Sequence, residues 1–241
     1  MSESSDPGLP PPGAPPPATP PPTAPPPGPP PGGVQYPARF EVAYSDSYNR
    51  LTTAFRIILV IPIVILVGVL TSGLPQFVET SSGEWVATSG GGIAGGLFVA
   101  TLLMILIRRR YPRWWFDFGV ELSRFTARIG AYVVLVTDKY PSTVDEQDVR
   151  LEYDYPDAER DLNRWLPLVK WFLLIPHYIV LFFLSIGAFF CVVIAWFAIL
   201  FTGRYPRGLF DFVVGVGRWS VRINAYGFLL ITDRYPPFSL R

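Results

Sequence analysis

Between Trp171 and Thr202 the chain runs for 32 residues without a charged side chain, broken only by single polar residues such as His177 and Ser185. As one helix, at 1.5 Å per residue, this run would be about 48 Å long, whereas a bilayer's hydrocarbon layer is only about 30 Å thick. It therefore requires a strongly tilted helix or a hairpin. Two shorter runs, residues 53–70 and 93–107, are also apolar; the second stops at Arg108-Arg109-Arg110. Half of the 241 residues are apolar and 15% are aromatic, and the surplus sits in these runs, as in a membrane protein and unlike a globular core.

Residues 1–33 are a low-complexity proline tail, with triplets at Pro15-Pro16-Pro17 and Pro25-Pro26-Pro27. Proline removes backbone donors and the tail has too little apolar surface to offset ordering, so the segment is expected to be disordered with polyproline II character. It reads as a spacer or as a docking site for a proline-recognising protein partner. The N-terminus lacks the basic and apolar regions of a secretory signal, so insertion is expected to rely on the first span.

The two halves repeat. Asn49, Arg50, Arg56 and Pro62 reappear as Asn163, Arg164, Lys170 and Pro176, 114 residues later. Arg110-Tyr111-Pro112-Arg113 with Phe116-Asp117-Phe118, Arg124 and Arg128 recurs as Arg204-Tyr205-Pro206-Arg207 with Phe210-Asp211-Phe212, Arg218 and Arg222, at an offset of 94. One more inserted residue brings Thr137-Asp138-Lys139-Tyr140-Pro141 onto Thr232-Asp233-Arg234-Tyr235-Pro236. This is the signature of a duplicated module. Module equivalence favours the hairpin for the long run, turning near Ser185-Ile186-Gly187.

The fold class expected is an α-helical integral membrane protein with four transmembrane helices as two parallel-repeat hairpins, plus amphipathic interfacial helices and short cytoplasmic β-strands. The first module covers 34–142, with spans near 53–70 and 93–107, an external loop at 71–92 and an interfacial helix at 113–130. The second covers 143–241, with spans near 166–184 and 188–203 and an interfacial helix at 207–224. Arg56, one turn inside the first span, is expected to snorkel to the near interface. Alternation of Phe40, Val42 and Tyr44, and of Leu151, Tyr153 and Tyr155, predicts a half-buried strand ahead of each module. Residues 131–137 and 225–232, β-branched and aromatic, read as strands with interfacial helix as the rival.

None of the 20 basic residues falls in 71–92, which holds Glu79 and Glu84. The positive-inside rule then puts the tail, the 108–170 connection and the C-terminus in the cytoplasm.

With Leu-Pro-Leu-Val-Lys-Trp-Phe-Leu-Leu-Ile-Pro-His-Tyr at 166–178 and Arg-Tyr-Pro-Arg-x-x-Phe-Asp-Phe at 204–212, residues 36–238 resemble a bacterial family of tandem-repeat membrane proteins known only as a domain of unknown function. The resemblance implies this topology and a bacterial cytoplasmic (inner) membrane location, and it carries over no mechanism. The first half has Ile63 where the Pro-His pair would place histidine.

His177 is the intramembrane polar residue, read either as functional or as a neutral imidazole bonded to the carbonyl that Pro176 frees or lying near the interface. Arg108, Arg109, Arg110, Arg113, Arg204 and Arg207, with Asp117 and Asp211, read as an interfacial ion-pair set or as a binding site for lipid headgroups, anionic ones in particular. One cysteine and one histidine exclude an intrachain disulfide and a multi-histidine metal site. No cofactor, nucleic-acid partner or catalytic constellation is expected, and the oligomeric state is left open. The leading function is a non-enzymatic membrane scaffold that organises partners or lipid, and the alternative is a transporter or channel component.

Overall fold

The computed structural model describes residues 36–72, 76–79, 81–88, 92–142 and 147–241, all within the unit Tyr36–Arg241. The proline tail lies outside them. The described chain is mostly helical: β1 (Ala38–Val42), α1 (Arg50–Ser72), β2 (Gln76–Glu79), β3 (Trp85–Thr88), α2 (Gly92–Leu103) with a π-helical turn at Met104–Arg108, α3 (Arg113–Val133), β4 (Val149–Tyr153), α4 (Leu166–Leu173), α5 (Ile175–Thr202) and α6 (Arg207–Gly227). The alternating lead-ins form strands as expected, and β1 pairs antiparallel with β4. A second hairpin, β2 with β3, sits between α1 and α2.

Two helical runs are long and apolar enough to cross a membrane, Arg50–Val69 and Leu166–Thr202, and Gly92–Arg108 is a shorter apolar helix. Only 17% and 6% of the two long windows are buried, whereas the core helix of a soluble protein would be mostly enclosed. The turn expected at Ser185-Ile186-Gly187 does not form, because α5 passes straight through it. Nothing there breaks a helix: one glycine costs about 1 kcal/mol relative to alanine and forbids nothing. The break falls at Leu174 instead, ahead of Pro176 in the first turn of α5, where a missing N–H is tolerated. Gly187 serves close packing, since a Cβ there would lie 3.5 Å from the Phe212 ring. Near the other end of the contact, a Cβ on Gly227 would meet Leu174 Cδ1 at 2.3 Å. α6 therefore lies antiparallel along α5 from Leu174 and Gly227 to Gly187 and Phe212.

α3 and α6 each follow an extended proline, Pro112 and Pro206. Both outrun the expected ends and absorb the start of the segments read as strands. Neither segment contains a strand. The chain leaves each helix through a left-handed leucine, Leu135 (φ 67°) and Leu230 (φ 56°), with Val136 N–H donating to Ala131 O and Ile231 N–H to Ala225 O, both at 3.1 Å. A left-handed non-glycine residue costs about 1–2 kcal/mol. Both leucines are buried in the core, which offsets that cost.

Many contacts come in pairs between positions that match in sequence. The β1–β4 register is centred on Phe40 opposite Leu151. Arg124 Nε–H donates to Leu151 O (2.9 Å) and Arg218 Nε–H to Phe40 O (3.1 Å). Tyr111 OH donates to Leu229 O (3.0 Å) and Tyr205 OH to Val134 O (3.5 Å). Tyr44 OH donates to Tyr205 O (2.6 Å), and Tyr155 OH to Tyr111 O. Each half thus places its tyrosines on the backbone of the other, where buried carbonyls need donors.

Candidate functional site

Two buried cations in the apolar helical runs anchor a pair of matching polar clusters. Arg56, 3% exposed, turns inward from α1. It does not snorkel, because inside the fold it finds a carboxylate and two carbonyls: Nη2 pairs with Asp138 Oδ1, and Nη1 donates to Thr137 O (2.9 Å) and Tyr132 O (3.0 Å). The guanidinium lies over the Tyr132 ring, 4.4 Å from its centre. Lys170, with no exposed surface, does the same in α4. Its Nζ donates to Thr232 O (2.7 Å), meets Asp233 Oδ1 as an ion pair at 2.8 Å and sits 4.8 Å from the centre of the Tyr226 ring.

The local sequence builds both carboxylates in one way. Thr137 Oγ1 accepts from Lys139 N–H (3.2 Å), and Thr232 Oγ1 from Arg234 N–H (3.1 Å), so each Thr-Asp-basic turn is closed by its threonine. The second oxygen of each aspartate reaches an asparagine in the segment leading into an apolar helix. Asp138 Oδ2 accepts from Asn49 N–H (2.7 Å), and Asp233 Oδ2 from Asn163 N–H. Asn49 in turn caps α1, accepting from Leu51 N–H (2.9 Å), while Asn163 closes a turn just ahead of α4, accepting from Trp165 N–H (3.0 Å). Each cluster therefore pins the start of an apolar helix to the chain end of its own half.

Burial raises the phenols around these clusters. Tyr48, whose OH donates to Val136 O (3.3 Å), is pushed up to about 12 by burial. Tyr153 reaches about 12 for the same reason, and Tyr132 and Tyr226 are raised by burial. At neutral pH these phenols keep their protons and do not act as bases.

His177 is fully buried, and its Nδ1 accepts from Trp219 Nε1–H at 3.0 Å. The partner is thus an indole, not the backbone carbonyl freed by Pro176. The ring stacks on Phe238, 4.0 Å between centres and 12° between planes. An imidazole that accepts at Nδ1 carries its proton at Nε2, and Nε2 has no partner among the described residues.

The interfacial set behaves differently from the sequence reading of an ion-paired cluster. Arg108, Arg109 and Arg110 are exposed, and their side chains make no hydrogen bond or ion pair with the described residues. Asp117 and Asp211 are likewise exposed, and their side chains make no hydrogen bond or ion pair with the described residues. Arg113 instead lies over Tyr155 (4.7 Å), and Arg207 over Tyr44 (4.2 Å) with Asp46 at 3.5 Å. Arg204 is exposed, and its backbone N–H donates to Thr202 Oγ1 (3.2 Å). The chemistry that sequence reasoning overlooked is the Arg56–Asp138 and Lys170–Asp233 pairing. The signal was present, since all four residues lie in the repeated blocks.

Among the described residues no group of three or more His, Cys, Asp and Glu side chains could hold a metal ion. Among the described residues a cavity of about 970 Å³ is walled by α1, α3, α5 and α6 and is almost wholly apolar. No curated protein and no solved structure matches the chain. Residues 165–239, which carry Lys170, His177 and Asp233 together with all of α6, match a family model described as a domain of unknown function, DUF4389.

Proposed function

We propose that this chain is a non-enzymatic membrane scaffold built from two copies of one module. The observation that carries the reading is the division of polar and apolar groups. The two buried cations of the apolar helices are consumed by internal fastening, while α1 and α4–α5 expose a largely apolar exterior that includes Ile57, Ile65, Phe172, Phe183 and Phe190. Exposed apolar surface on this scale calls for lipid or a partner. The paired contacts support duplication: they relate the halves about a pseudo-two-fold axis between Phe40 and Leu151.

In this reading α1 and α2 form a membrane-crossing hairpin in a bacterial cytoplasmic membrane. α5 lies lengthwise beneath the amphipathic α6 in the cytoplasmic leaflet, and both termini face the cytoplasm with the basic residues. The proline tail recruits a protein partner, and Arg108, Arg109 and Arg110 hold anionic headgroups at about 1 kcal/mol each. A transporter has less support, because among the residues lining the cavity only Arg56, Ser185 and Ser220 carry polar side chains.

The test is affinity purification from native membranes in mild detergent, comparing the full chain with one lacking residues 1–33. Loss of co-purifying proteins on tail removal is expected, and the same partners without the tail would end the recruiting role. Orientation is tested in a Cys191→Ala background with an impermeant maleimide. Gly83→Cys should label from outside and Ser185→Cys should not, whereas external labelling of Ser185→Cys would restore a four-pass hairpin.

A further inference from the structure

The two corners that lead into α3 and α6 differ in ways the fold does not need. After α2 the chain reads Arg108-Arg109-Arg110, where the matched residues after α5 are Thr202, Gly203 and Arg204. Both corners make the same turn: Arg109 (φ 51°) and Gly203 (φ 74°) are left-handed, and their N–H groups donate to Ile105 O (3.2 Å) and Ile199 O (2.8 Å). Glycine takes that conformation freely, whereas arginine takes it at a cost. α2 also ends in a π-helical turn, while α5 stays α-helical to Thr202. Trp114 and Trp115 follow the first corner, and Gly208 and Leu209 follow the second. The second half therefore makes this corner without two of the three arginines, without the strained residue and without the tryptophans. Strain kept where the fold has no use for it is a mark of function.

The first corner also gathers positive charge that nothing nearby balances. The exposed side chains of Arg108, Arg109 and Arg110 have no partner among the described residues. Arg164 comes to the same turn, because its Nε–H donates to Leu106 O, one of the helix-end carbonyls that lack a donor. The carboxylates of the segment before Arg164 do not reach the triad. Asp157 pairs with Arg160 at 3.7 Å, Asp161 accepts from Asp157 N–H at 3.1 Å, and Glu159 is exposed and makes no ion pair among the described residues. Beside the charges lie strongly exposed apolar groups: Ile107 ahead of the triad, Trp114 after it, and Trp165 next to Arg164. Exposed indoles of this kind suit the boundary between acyl chains and headgroups.

We infer that this corner is a selective site for a phosphomonoester lipid headgroup, and not a general attraction for any anionic lipid. A phosphodiester headgroup brings one negative charge and leaves most of the cluster uncompensated. A phosphomonoester brings a charge of about −1.5 to −2 at pH 7 and three acceptor oxygens, which guanidinium forks engage in bidentate pairs. A soluble phosphomonoester shares that chemistry, but the exposed Ile107 and Trp114 beside the triad favour the lipid. The inference rests on the reading of Arg108, Arg109 and Arg110 as a headgroup site and goes beyond it in naming the headgroup.

The full chain would be reconstituted in phosphatidylethanolamine bilayers with phosphatidylglycerol and phosphatidic acid in amounts carrying equal charge. After re-extraction in mild detergent, native mass spectrometry identifies the lipids retained. Phosphatidic acid is expected to be enriched over phosphatidylglycerol by about tenfold or more, equivalent to about 1.4 kcal/mol. Changing all three arginines to lysine keeps the charge and should remove most of that preference, because lysine lacks the fork. Arg109→Gly should lower retention of phosphatidic acid about fivefold, the share of one basic residue, while the melting temperature holds or rises. Should that variant fail to fold, Arg108→Gln gives the same readout. Equal enrichment of the two lipids, or an undiminished preference in the lysine variant, would overturn the inference. So would displacement of phosphatidic acid by glycerol 3-phosphate at comparable concentration, which would make the site one for a soluble phosphomonoester. The two readings fail differently: both anionic lipids retained over phosphatidylethanolamine without preference refutes the selectivity alone, and neither retained refutes the headgroup reading itself.

Discussion

Arg56 and Lys170 hold matching places in the two halves, yet they satisfy their charge in different ways. The guanidinium spreads over Asp138, two carbonyls and the face of Tyr132, and still has Nε–H to spare. The ammonium is fully buried and depends on one carboxylate and one carbonyl. Asp138 is 26% exposed and Asp233 only 18%, so the second pair is also the drier. The same backbone frame thus supports a broad network in one half and a sparse one in the other, and the sparse one has less to fall back on.

Removing a carboxylate should expose that difference most. Asp233→Ala strands Lys170 in apolar surroundings and is expected to cost about 3–5 kcal/mol. Asp138→Ala leaves Arg56 with both carbonyls and should cost less, about 1–3 kcal/mol. Thermal unfolding of the two variants in one detergent checks the order, and an equal loss would show that the extra hydrogen bonds of Arg56 do not matter. Replacing the second pair outright, Lys170→Met with Asp233→Leu, should recover most of the stability lost in Asp233→Ala, because no charge is left buried.

How far the sequence could be read follows from the same residues. The strands at β1 and β4 were legible because period-two alternation flips every side chain with a one-residue shift. The starts of α3 and α6 were legible from Pro112 and Pro206. Their ends were not: Tyr132 and Val133 carry β propensity, and what holds them helical is burial of Ala131 and Tyr132 together with the turn at Leu135, which depends on tertiary packing. The uninterrupted α5 was missed because duplication implied a hairpin, and duplication constrains ancestry more tightly than it constrains a helix with no breaker in it. Arg56 was misjudged for a similar reason. Hydropathy treats a cation in a span as a burden to be carried to water, and it has no knowledge of a carboxylate 82 residues away.

Exchanging the cations sharpens the comparison at smaller amplitude. Lys170→Arg brings a larger planar group into a site with no exposed surface and should cost about 1–3 kcal/mol through overpacking. Arg56→Lys gives up one carbonyl bond at a charged donor and should cost about 1.5–3 kcal/mol, with no overpacking. Melting curves read both. A stabilised Lys170→Arg would mean that the second site has room for the broad network and that its sparseness has another origin.

The halves also differ at His177, which the first half replaces with the buried Ile63. His177→Ile would copy the first half, but it leaves Trp219 Nε1–H buried without its acceptor, at an expected cost of about 1–3 kcal/mol. Combining it with Trp219→Phe, which matches Phe125 in the first half, removes the orphaned donor and should restore part of that loss. A double variant no better than the single would place the value of His177 in its stack on Phe238 and not in the indole bond.

The smallest expected effect separates the halves by pH. Tyr48 in the first half and Tyr153 at the start of the second are both held near 12 by burial, against about 10 in an unfolded chain. Below pH 10 both states keep the phenol proton, and the contribution to stability is fully present. Above it the unfolded chain releases protons first, so it binds fewer than the folded chain and stability falls as pH rises toward 12. Tyr48→Phe removes one such group together with its bond to Val136 O, and Tyr153→Phe removes the other with its contact to Asn224 Nδ2. Each variant should flatten the decline in melting temperature between pH 10 and 12. Tyr153 sits in a strand that also receives Arg124 and so has independent support, whereas Tyr48 tethers the turn between β1 and α1 directly to the end of the first half. The Tyr48 variant should therefore lose more stability at neutral pH while flattening the alkaline slope by a similar amount, and an unchanged slope in both would mean that neither phenol keeps its proton through burial.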